Sequence, residues 1–276
     1  MKQYKLIILF LFTILFVSCS SDDGKISFTI LQLNDVYEIS SIQGGKYGGM
    51  ARVETVHQEL VAKNKNTLLV MAGDFLNPSL LGTMKHEGVR VRGKQMIEVM
   101  NAMSFDLVAF GNHEFDIPKK DLQKRMDESN FPWISSNVFN KTADSIKQFY
   151  QELSGVKRLI KGSFIKEIFD EDGTKIKVGF ISVCIPSNPK DYVLYKDMFS
   201  SIVKEYESIK NKVDIVIGLT HVKIEHDREI ARLLPNIPLI MGGHEHDNKN
   251  EMIGDVKITK ADANAKTAYI HSINFN

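Results

Sequence analysis

Five short apolar segments dominate the hydrophobic pattern of the chain, and polar stretches with a different spacing separate them. The apolar segments are residues 29–33, 67–72, 107–110, 214–220 and 238–241. Runs of aliphatic and β-branched residues with polar or glycine boundaries predict buried β-strands. Apolar residues recur at helical spacing in residues 50–61, 99–103, 202–209 and 230–234. This alternation predicts an α/β fold whose mostly buried sheet carries helices on its faces.

Two regions depart from this alternation. Residues 140–173 are polar and rich in Lys, Asp and Glu, which predicts an irregular connection with a hairpin around Asp172-Gly173. Near the end of the chain, residues 251–260 and 266–274 each predict a strand, with a polar turn over residues 261–265 between them. No internal repeat or interdomain linker interrupts residues 26–276, which we therefore expect to form one domain.

Each of the five apolar segments leads into a residue that can bind a metal ion. They are followed by Asn34-Asp35, Gly73-Asp74, Gly111-Asn112-His113-Glu114, His221 and Gly242-Gly243-His244-Glu245-His246. In open α/β sheets, ligands bind beyond the carboxyl ends of the strands, so we expect these side chains to meet at one edge. Carboxylate and amide oxygens favour hard cations, whereas imidazoles favour transition metals. The inventory suits two divalent cations.

Composition argues against one large class of function. The chain has 276 residues, of which 43% are hydrophobic, so it can build a sizeable core. Its 35 basic and 34 acidic residues leave a net charge of +1. A protein that binds a nucleic-acid polymer usually carries a basic stripe, and none is evident here.

The amino terminus predicts a secretion signal. Lys2 and Lys5 precede a continuously apolar stretch at residues 6–17, which is too short to span a membrane. Val17-Ser18-Cys19 resembles a bacterial lipoprotein cleavage box, so we expect residues 1–18 to be removed, Cys19 to be lipidated and residues 19–25 to form a tether. The predicted location is the bacterial cell envelope, with the domain anchored to the membrane outside the cytoplasm; an ordinary secretory signal is the alternative.

The remaining cysteine, Cys184, lies in a strand-like apolar run at residues 178–185. A lone cysteine in such a run is typically a small buried hydrophobe. We therefore expect neither a disulfide nor a cysteine-based metal site.

The order of the polar motifs resembles the calcineurin-like metallophosphoesterase superfamily, and within it the amino-terminal catalytic domain of the 5′-nucleotidase family. The motifs that carry the resemblance are Leu33-Asn34-Asp35, Gly48-Gly49-Met50-Ala51-Arg52, Ala72-Gly73-Asp74, Gly111-Asn112-His113-Glu114-Phe115-Asp116, Thr220-His221 and Gly242-Gly243-His244-Glu245-His246. The resemblance implies a four-layer α/β/β/α metallophosphoesterase sandwich. It also implies two divalent metal ions, of which Mn, Zn, Co and Fe are candidates.

By motif position, the resemblance assigns ligands to the two metals. Asp74 would bridge them; one metal would also take Asp35 and His246, and the other Asn112, His221 and His244. A water between two such metals can lose its proton near neutral pH and attack phosphorus in line. The expected function is a 5′-nucleotidase-like phosphomonoesterase that acts on a nucleotide or another small phosphoester.

Two further residues are expected to act on the substrate. In the family, a histidine at the position of His113 contacts the phosphate or leaving group, and an aspartate at the position of Asp116 orients it. Asp116 also has a structural interpretation, since Ile117-Pro118 begins a helical stretch and an aspartate suits a helix N-cap. The two roles are compatible.

Tyr37 breaks the family pattern, because the first motif usually reads Asp-x-His and here reads Asp35-Val36-Tyr37. Three interpretations are open: Tyr37 binds metal as a tyrosinate, water completes the first metal while Tyr37 lies outside its ligand shell, or the first metal is lost. We favour the second. The third would make the chain a catalytically silent metal- or phosphate-binding module.

Other expectations concern substrate choice and the other histidines. A phosphodiesterase acting on cyclic nucleotides is an alternative, since the same metal centre hydrolyses monoesters and diesters. Full-length relatives carry a carboxy-terminal domain that grips the base, so two expectations are open: a separate polypeptide supplies this domain, or the enzyme accepts broader phosphoesters. We expect four histidines to lie away from the site, with the first of them solvated: His57, His86, His226 and His271.

Overall fold

The computed structural model describes residues 24–187 and 189–276. The predicted signal peptide, Cys19 and most of the predicted tether lie outside these described residues. No helix in the described part of the chain combines the length and apolar character needed to cross a bilayer.

The described residues form six α-helices, a short 3₁₀ helix at His113–Asp116 and eighteen strands. The helices are α1 (Met50–Lys63), α2 (Leu80–Thr83), α3 (Lys94–Ala102), α4 (Lys119–Glu128), α5 (Met198–Ile209) and α6 (Ile224–Leu233). The strands are β1 (Ile26–Leu33), β2 (Thr67–Met71), β3 (Lys85–His86), β4 (Val89–Arg90), β5 (Leu107–Ala109), β6 (Trp133–Ile134), β7 (Val138–Lys141), β8 (Ile146–Lys147), β9 (Tyr150–Leu153), β10 (Val156–Leu159), β11 (Ser163–Phe169), β12 (Lys175–Ile181), β13 (Val193–Tyr195), β14 (Ile215–Thr220), β15 (Leu239–Gly242), β16 (Lys249–Ile253), β17 (Val256–Lys260) and β18 (Tyr269–Phe275).

Two large sheets form the centre of the described structure. The first has the strand order β18-β1-β2-β5-β6, and the second has the order β11-β12-β14-β15-β17-β16. In the first sheet β1, β2, β5 and β6 run parallel, and β18 pairs antiparallel with β1. In the second, β12, β14, β15 and β17 run parallel between two antiparallel edge strands. Parallel strands bring their carboxyl ends to one edge of each sheet, as the sequence predicts.

Alternation of side chains along the strands builds three apolar layers. On β1, Leu31 and Leu33 face helices α1, α3 and α4, whereas Phe28 and Ile30 face the second sheet. Successive side chains of a strand point to opposite faces, so a strand buried on both sides is apolar at most of its positions. The second sheet packs its other face on α5 and α6. Three cores separate four layers, which confirms the predicted α/β/β/α sandwich.

The structure corrects two predictions of secondary structure. Residues 251–260 form no single strand; β16 and β17 make an antiparallel hairpin that turns at Gly254. Gly254 has a φ of 59°, a left-handed conformation that glycine adopts without steric cost. Residues 140–173, which were predicted to be irregular, contain the end of β7 and all of β8 to β11. The predicted hairpin around Asp172-Gly173 is present and connects β11 to β12.

A buried polar contact joins the two sheets beside the ends of their strands. Gln32 of β1 donates from Nε2 to the carbonyl oxygens of Thr259, at 2.9 Å, and Gly242, at 3.2 Å. Thr259 in turn donates from Oγ1 to Gln32 Oε1 over 2.7 Å. Because an unpaired buried amide is costly, this contact fixes how the two sheets meet.

Candidate metal centre

The motif residues of both sheets converge at the carboxyl ends of the parallel strands. Asp35 follows β1 and Asp74 follows β2, and both adopt left-handed backbones, with φ values of 53° and 58°. Residues other than glycine uncommonly adopt left-handed backbones, and those that do concentrate at functional sites. The second sheet contributes His221 after β14 and His244 after β15.

Close approach of the loops depends on glycine. A Cβ atom on Gly73, whose φ is 79°, would lie 2.6 Å from the Gly111 nitrogen and 2.7 Å from His221 Nδ1. Both distances are shorter than van der Waals contact allows. The glycine before Asp74 therefore lets three ligand-bearing loops pack against one another.

Asp35, Asp74 and His221 form the buried centre of the cluster. All three are fully buried, and each can offer one ligand atom such that these atoms lie within 4.8 Å of one another. Two carboxylates buried together repel each other unless a cation or a proton lies between them. The described residues thus provide a pocket of negative charge that suits a metal ion.

In its neutral form, His221 directs the lone pair of Nε2 toward the two carboxylates. Nδ1 lies 2.7 Å from the carbonyl oxygen of Ala72, which can only accept, so Nδ1 carries the proton in the neutral ring. Nε2 then faces Asp74 Oδ2 at 3.1 Å and Asp35 Oδ1 at 3.9 Å, without a well-aligned hydrogen bond. Histidine ligands of metals typically donate a hydrogen bond from their second ring nitrogen to a carbonyl oxygen in this way.

Charge around His221 shows how strongly the pocket attracts a cation. Burial alone lowers the pKa of His221, but the adjacent carboxylates of Asp74 and Asp35 raise it to about 10. Burial raises the pKa of Asp35, whereas the charge of His221 and hydrogen bonds from His246, Asn34 and the His244 nitrogen lower it to about 2. A metal ion would replace the proton on Nε2, since metal binding and protonation compete for the same lone pair.

Asn112, His244 and His246 complete the ring of predicted ligands. His244 Nδ1 lies 3.2 Å from Asn112 Oδ1, and the His244 ring is 5.5 Å from the His221 ring between centroids. His246 is on the other side, with Nε2 3.3 Å from Asp35 Oδ1. Direct contacts therefore connect Asp35 with His221, His244 and His246, and Asp74 with His221, while Asn112 contacts His244.

The hydroxyl group of Tyr37 lies among Asp35, Asp74 and His246, the ligands that the resemblance assigns to one metal. The oxygen is 2.9 Å from His246 Nε2, 3.2 Å from Asp74 Oδ2 and 3.4 Å from Asp35 Oδ1. Burial, followed by the charges of Asp74 and Asp35, raises the pKa of Tyr37 far above its usual value. The phenol is thus neutral and lies within hydrogen-bonding distance of three predicted ligands, and its single proton can be donated to one carboxylate at a time.

His113 and Asp116 form a pair beside the cluster. His113 Nδ1 lies 2.6 Å from Asp116 Oδ2, and the His113 backbone nitrogen donates to Asp74 Oδ1 over 2.8 Å. The interpretation of Asp116 as a helix N-cap is wrong, because α4 begins at Lys119 with Pro118 as its cap residue. Asp116 instead ends the 3₁₀ helix and receives a hydrogen bond from Asn77 Nδ2 at 3.3 Å.

Two buried charged residues that sequence reasoning overlooked support the ligand loops. Glu114 accepts hydrogen bonds from the backbone nitrogens of Gly111, Asp74, Phe75 and Leu76. Burial and the charge of Asp74 raise the pKa of Glu114 to about 7. Its place within the motif at residues 111–116 was the available signal. The second, Lys260, is the last residue of β17 and is fully buried.

The remaining histidines include one error of prediction. His57, which we expected to be solvated, is 8% exposed on α1, where its Nδ1 lies 3.2 Å from Glu54 Oε2. His57 shares the buried side of α1 with Met50 and Val53, at helical spacing from them. His271 Nε2 lies 2.9 Å from Gln32 Oε1, at the contact that joins the two sheets. Cys184 is buried, as predicted.

The sequence of the chain is similar to those of known phosphoesterases and 5′-nucleotidases. The family model described as calcineurin-like phosphoesterase matches residues 28–248. A snake venom 5′-nucleotidase of Crotalus adamanteus is 30% identical over 241 residues, which cover 80% of this chain and 37% of the relative. The human 5′-nucleotidase is 29% identical over 239 residues, covering 81% of this chain and 38% of the relative. The chain thus spans less than two-fifths of the length of these relatives.

Solved structures support the fold. The calcineurin-like phosphoesterase YfkN of Bacillus subtilis superposes with a TM-score of 0.71 at 21% identity, covering 91% of this chain and 85% of that one. A 5′-nucleotidase precursor of Thermus thermophilus superposes with a TM-score of 0.72 at 22% identity, covering 91% and 52% of the two chains. Identities this low support a shared architecture only.

Proposed function

Because the chain belongs to the calcineurin-like phosphoesterase family, we propose that it is a dinuclear, metal-dependent phosphoester hydrolase of the 5′-nucleotidase type, acting on phosphomonoesters. The observation that carries the proposal is the buried Nε2 of His221, which faces two buried carboxylates without a well-aligned partner. A bound cation would satisfy all three groups together.

The donor set fits two divalent cations. Asp35, Asp74 and His246 would hold one, while Asp74, Asn112, His221 and His244 would hold the other. When bound, such a pair supplies a nucleophile from water near neutral pH and stabilises charge on the phosphoryl oxygens. Mn, Zn, Co and Fe all accept mixed oxygen and imidazole ligands, and they are the proposed candidates.

His113 is proposed to act on the substrate. Asp116 holds its Nδ1, which leaves Nε2 as the nitrogen available to donate to a phosphoryl oxygen or to the leaving oxygen. Such a donor is useful because negative charge grows on these oxygens as the ester bond breaks. Hydrolysis transfers the phosphoryl group to water and releases the alcohol.

A substrate comparison tests the proposal. Mn²⁺-loaded protein should hydrolyse 5′-AMP and p-nitrophenyl phosphate faster than 2′,3′-cyclic AMP and bis(p-nitrophenyl) phosphate. Initial rates by phosphate and nitrophenol release would be compared with those of an Asp74→Asn preparation, which controls for contaminating phosphatases. Faster hydrolysis of the diesters would favour a phosphodiesterase, and a metal-loaded protein without any hydrolysis would favour a silent module.

Tyr37 bears on whether the first metal binds. We propose that its hydroxyl is an outer hydrogen-bond partner of the ligands, so Tyr37→Phe should keep two metals and lose less than about 10-fold in turnover, the low end for outer partners. Tyr37→His should restore the usual ligand and tighten metal binding. Metal analysis and visible absorption check this: ferric colour that disappears in Tyr37→Phe would assign a tyrosinate ligand, and hydrolysis gained only in Tyr37→His would mean that the natural site is silent.

A further inference from the structure

We infer that Lys260 is a positioning residue that fixes the two histidine-bearing loops of the metal centre against each other. The inference rests on the proposed function, because it assigns a role toward the same metals. Lys260 is fully buried at the end of β17. A lysine is almost never fully buried unless it is paired, so its partners define what it does.

The ammonium group of Lys260 joins the two loops directly. It donates to the carbonyl oxygens of Val222 and of Gly243, the latter over 2.8 Å, and to the carboxylate of Glu245. Val222 follows the predicted ligand His221, and Gly243 precedes the predicted ligand His244. Glu245 lies between His244 and His246. Each of the three hydrogen bonds therefore ends within one residue of a predicted ligand.

A second carboxylate extends this contact into helix α6. Asp227 Oδ2 lies 2.8 Å from Lys260 Nζ, and Asp227 Oδ1 accepts a hydrogen bond from Thr220 Oγ1 over 2.7 Å. Since an ammonium has three N–H donors and all three are used, the contact with Asp227 is ionic. Thr220 precedes His221, so Asp227 holds this loop from its other side.

Packing around Gly242 shows that the site is built around the lysine. A Cβ atom at Gly242 would lie 2.8 Å from Lys260 Cε and 2.8 Å from Asp227 Oδ2. The side chain of Lys260 thus fills the space directly beneath the loop that carries His244 and His246. Movement of the ammonium would displace both loops.

Ala261, the residue after Lys260, is hydrogen-bonded to the loop that follows β1 in the first sheet. The backbone nitrogen and oxygen of Ala261 both bond to the side-chain amide of Asn34, at 2.7 and 2.9 Å. The same Asn34 donates to Asp35 Oδ2 over 2.7 Å. Residues 260 and 261 therefore connect loops of both sheets, which is where a positioning residue for a site shared between sheets has to lie.

The test measures Mn²⁺ binding to metal-depleted protein by titration calorimetry, at a temperature where circular dichroism shows each variant to be folded. Lys260→Met keeps the length of the side chain but removes the charge and donors, and we expect affinity to fall by about 10- to 100-fold, as for other outer partners of metal ligands. The Mn²⁺ affinity of Lys260→Gln should fall less, because its amide can still donate a hydrogen bond to a carbonyl oxygen. Lys257→Met is the matched control, since Lys257 lies exposed on the same strand, and it should bind as wild type does.

The outcomes separate the inference from the proposed function. Wild-type protein that binds no Mn²⁺ would contradict the proposed function. Wild-type binding together with an unchanged affinity in Lys260→Met would overturn the inference alone, even if that variant melts at a lower temperature, because lower stability with normal affinity is a purely structural role. If Lys260→Met does not fold, Lys260→Gln decides the question by the same comparison.

Discussion

Replacing Asp74 by asparagine should nearly abolish hydrolysis and reduce the metal content. One carboxylate oxygen of Asp74 lies 3.1 Å from His221 Nε2 and 3.2 Å from the Tyr37 hydroxyl, which is itself 2.9 Å from His246 Nε2. Asp74 is therefore close to residues assigned to each of the two metals. An amide offers one neutral oxygen in its place. We expect kcat/KM to fall by more than about 100-fold, the upper end for residues that act on metals only through other ligands.

The Asp74→Asn variant is well suited to this test, because asparagine tolerates the left-handed backbone at this position. Asp35→Asn is the matched comparison. It removes a carboxylate of equal burial that is assigned to one metal only, and it should lose less activity and less metal. Initial rates with 5′-AMP and elemental analysis provide the two measurements. Near-normal turnover with two bound metals in Asp74→Asn would exclude Asp74 as the bridging ligand.

Replacing His113 by alanine should lower the rate and leave the metals in place. His113 contacts Asp74 through its backbone nitrogen and Asp116 through its ring, and it is not among the predicted ligands. A positioned proton donor typically contributes about 10²- to 10⁴-fold, and we expect a loss of kcat in this range.

His86→Ala provides the control for His113→Ala, since His86 is an exposed histidine on the short strand β3. It should keep both rate and metal. The rate of Asp116→Asn should fall between those of His113→Ala and His86→Ala, because the amide can still orient the His113 ring but cannot stabilise its positive charge. If His113→Ala lost metal in proportion to its rate, His113 would be a ligand; if its rate were unchanged, the proposed role would be wrong.

Much of this site is predictable because its ligands follow short apolar strands. Asp35, Asp74 and His221 each end a run of aliphatic residues, and the topology of parallel strands brings such ends together without further information. The alternation of these runs with helical segments predicts an α/β fold, whereas the four-layer arrangement is what the family resemblance implies. The hairpin of β16 and β17 was missed because its apolar residues continue on both sides of Gly254, so the pattern resembles one strand.

The supporting residues could not be predicted in this way. Lys260 lies 38 residues from Val222 along the chain, and Gln32 lies 227 residues from Thr259. A buried charge or amide is specified by its tertiary partners, and no local spacing encodes them. For Asp116, the family resemblance implied the contact with the ring of His113, three residues earlier, whereas the local rule for helix caps suggested a role that the structure does not show.

The most direct test of the account is the hydrolysis of 5′-AMP by metal-depleted protein titrated with Mn²⁺. The account predicts no activity above the Asp74→Asn background at the start, followed by a rise that reaches its plateau near two equivalents per chain, as a two-metal site requires. Hydrolysis that persists at its full rate after thorough chelation would contradict the account, and so would a plateau at one equivalent.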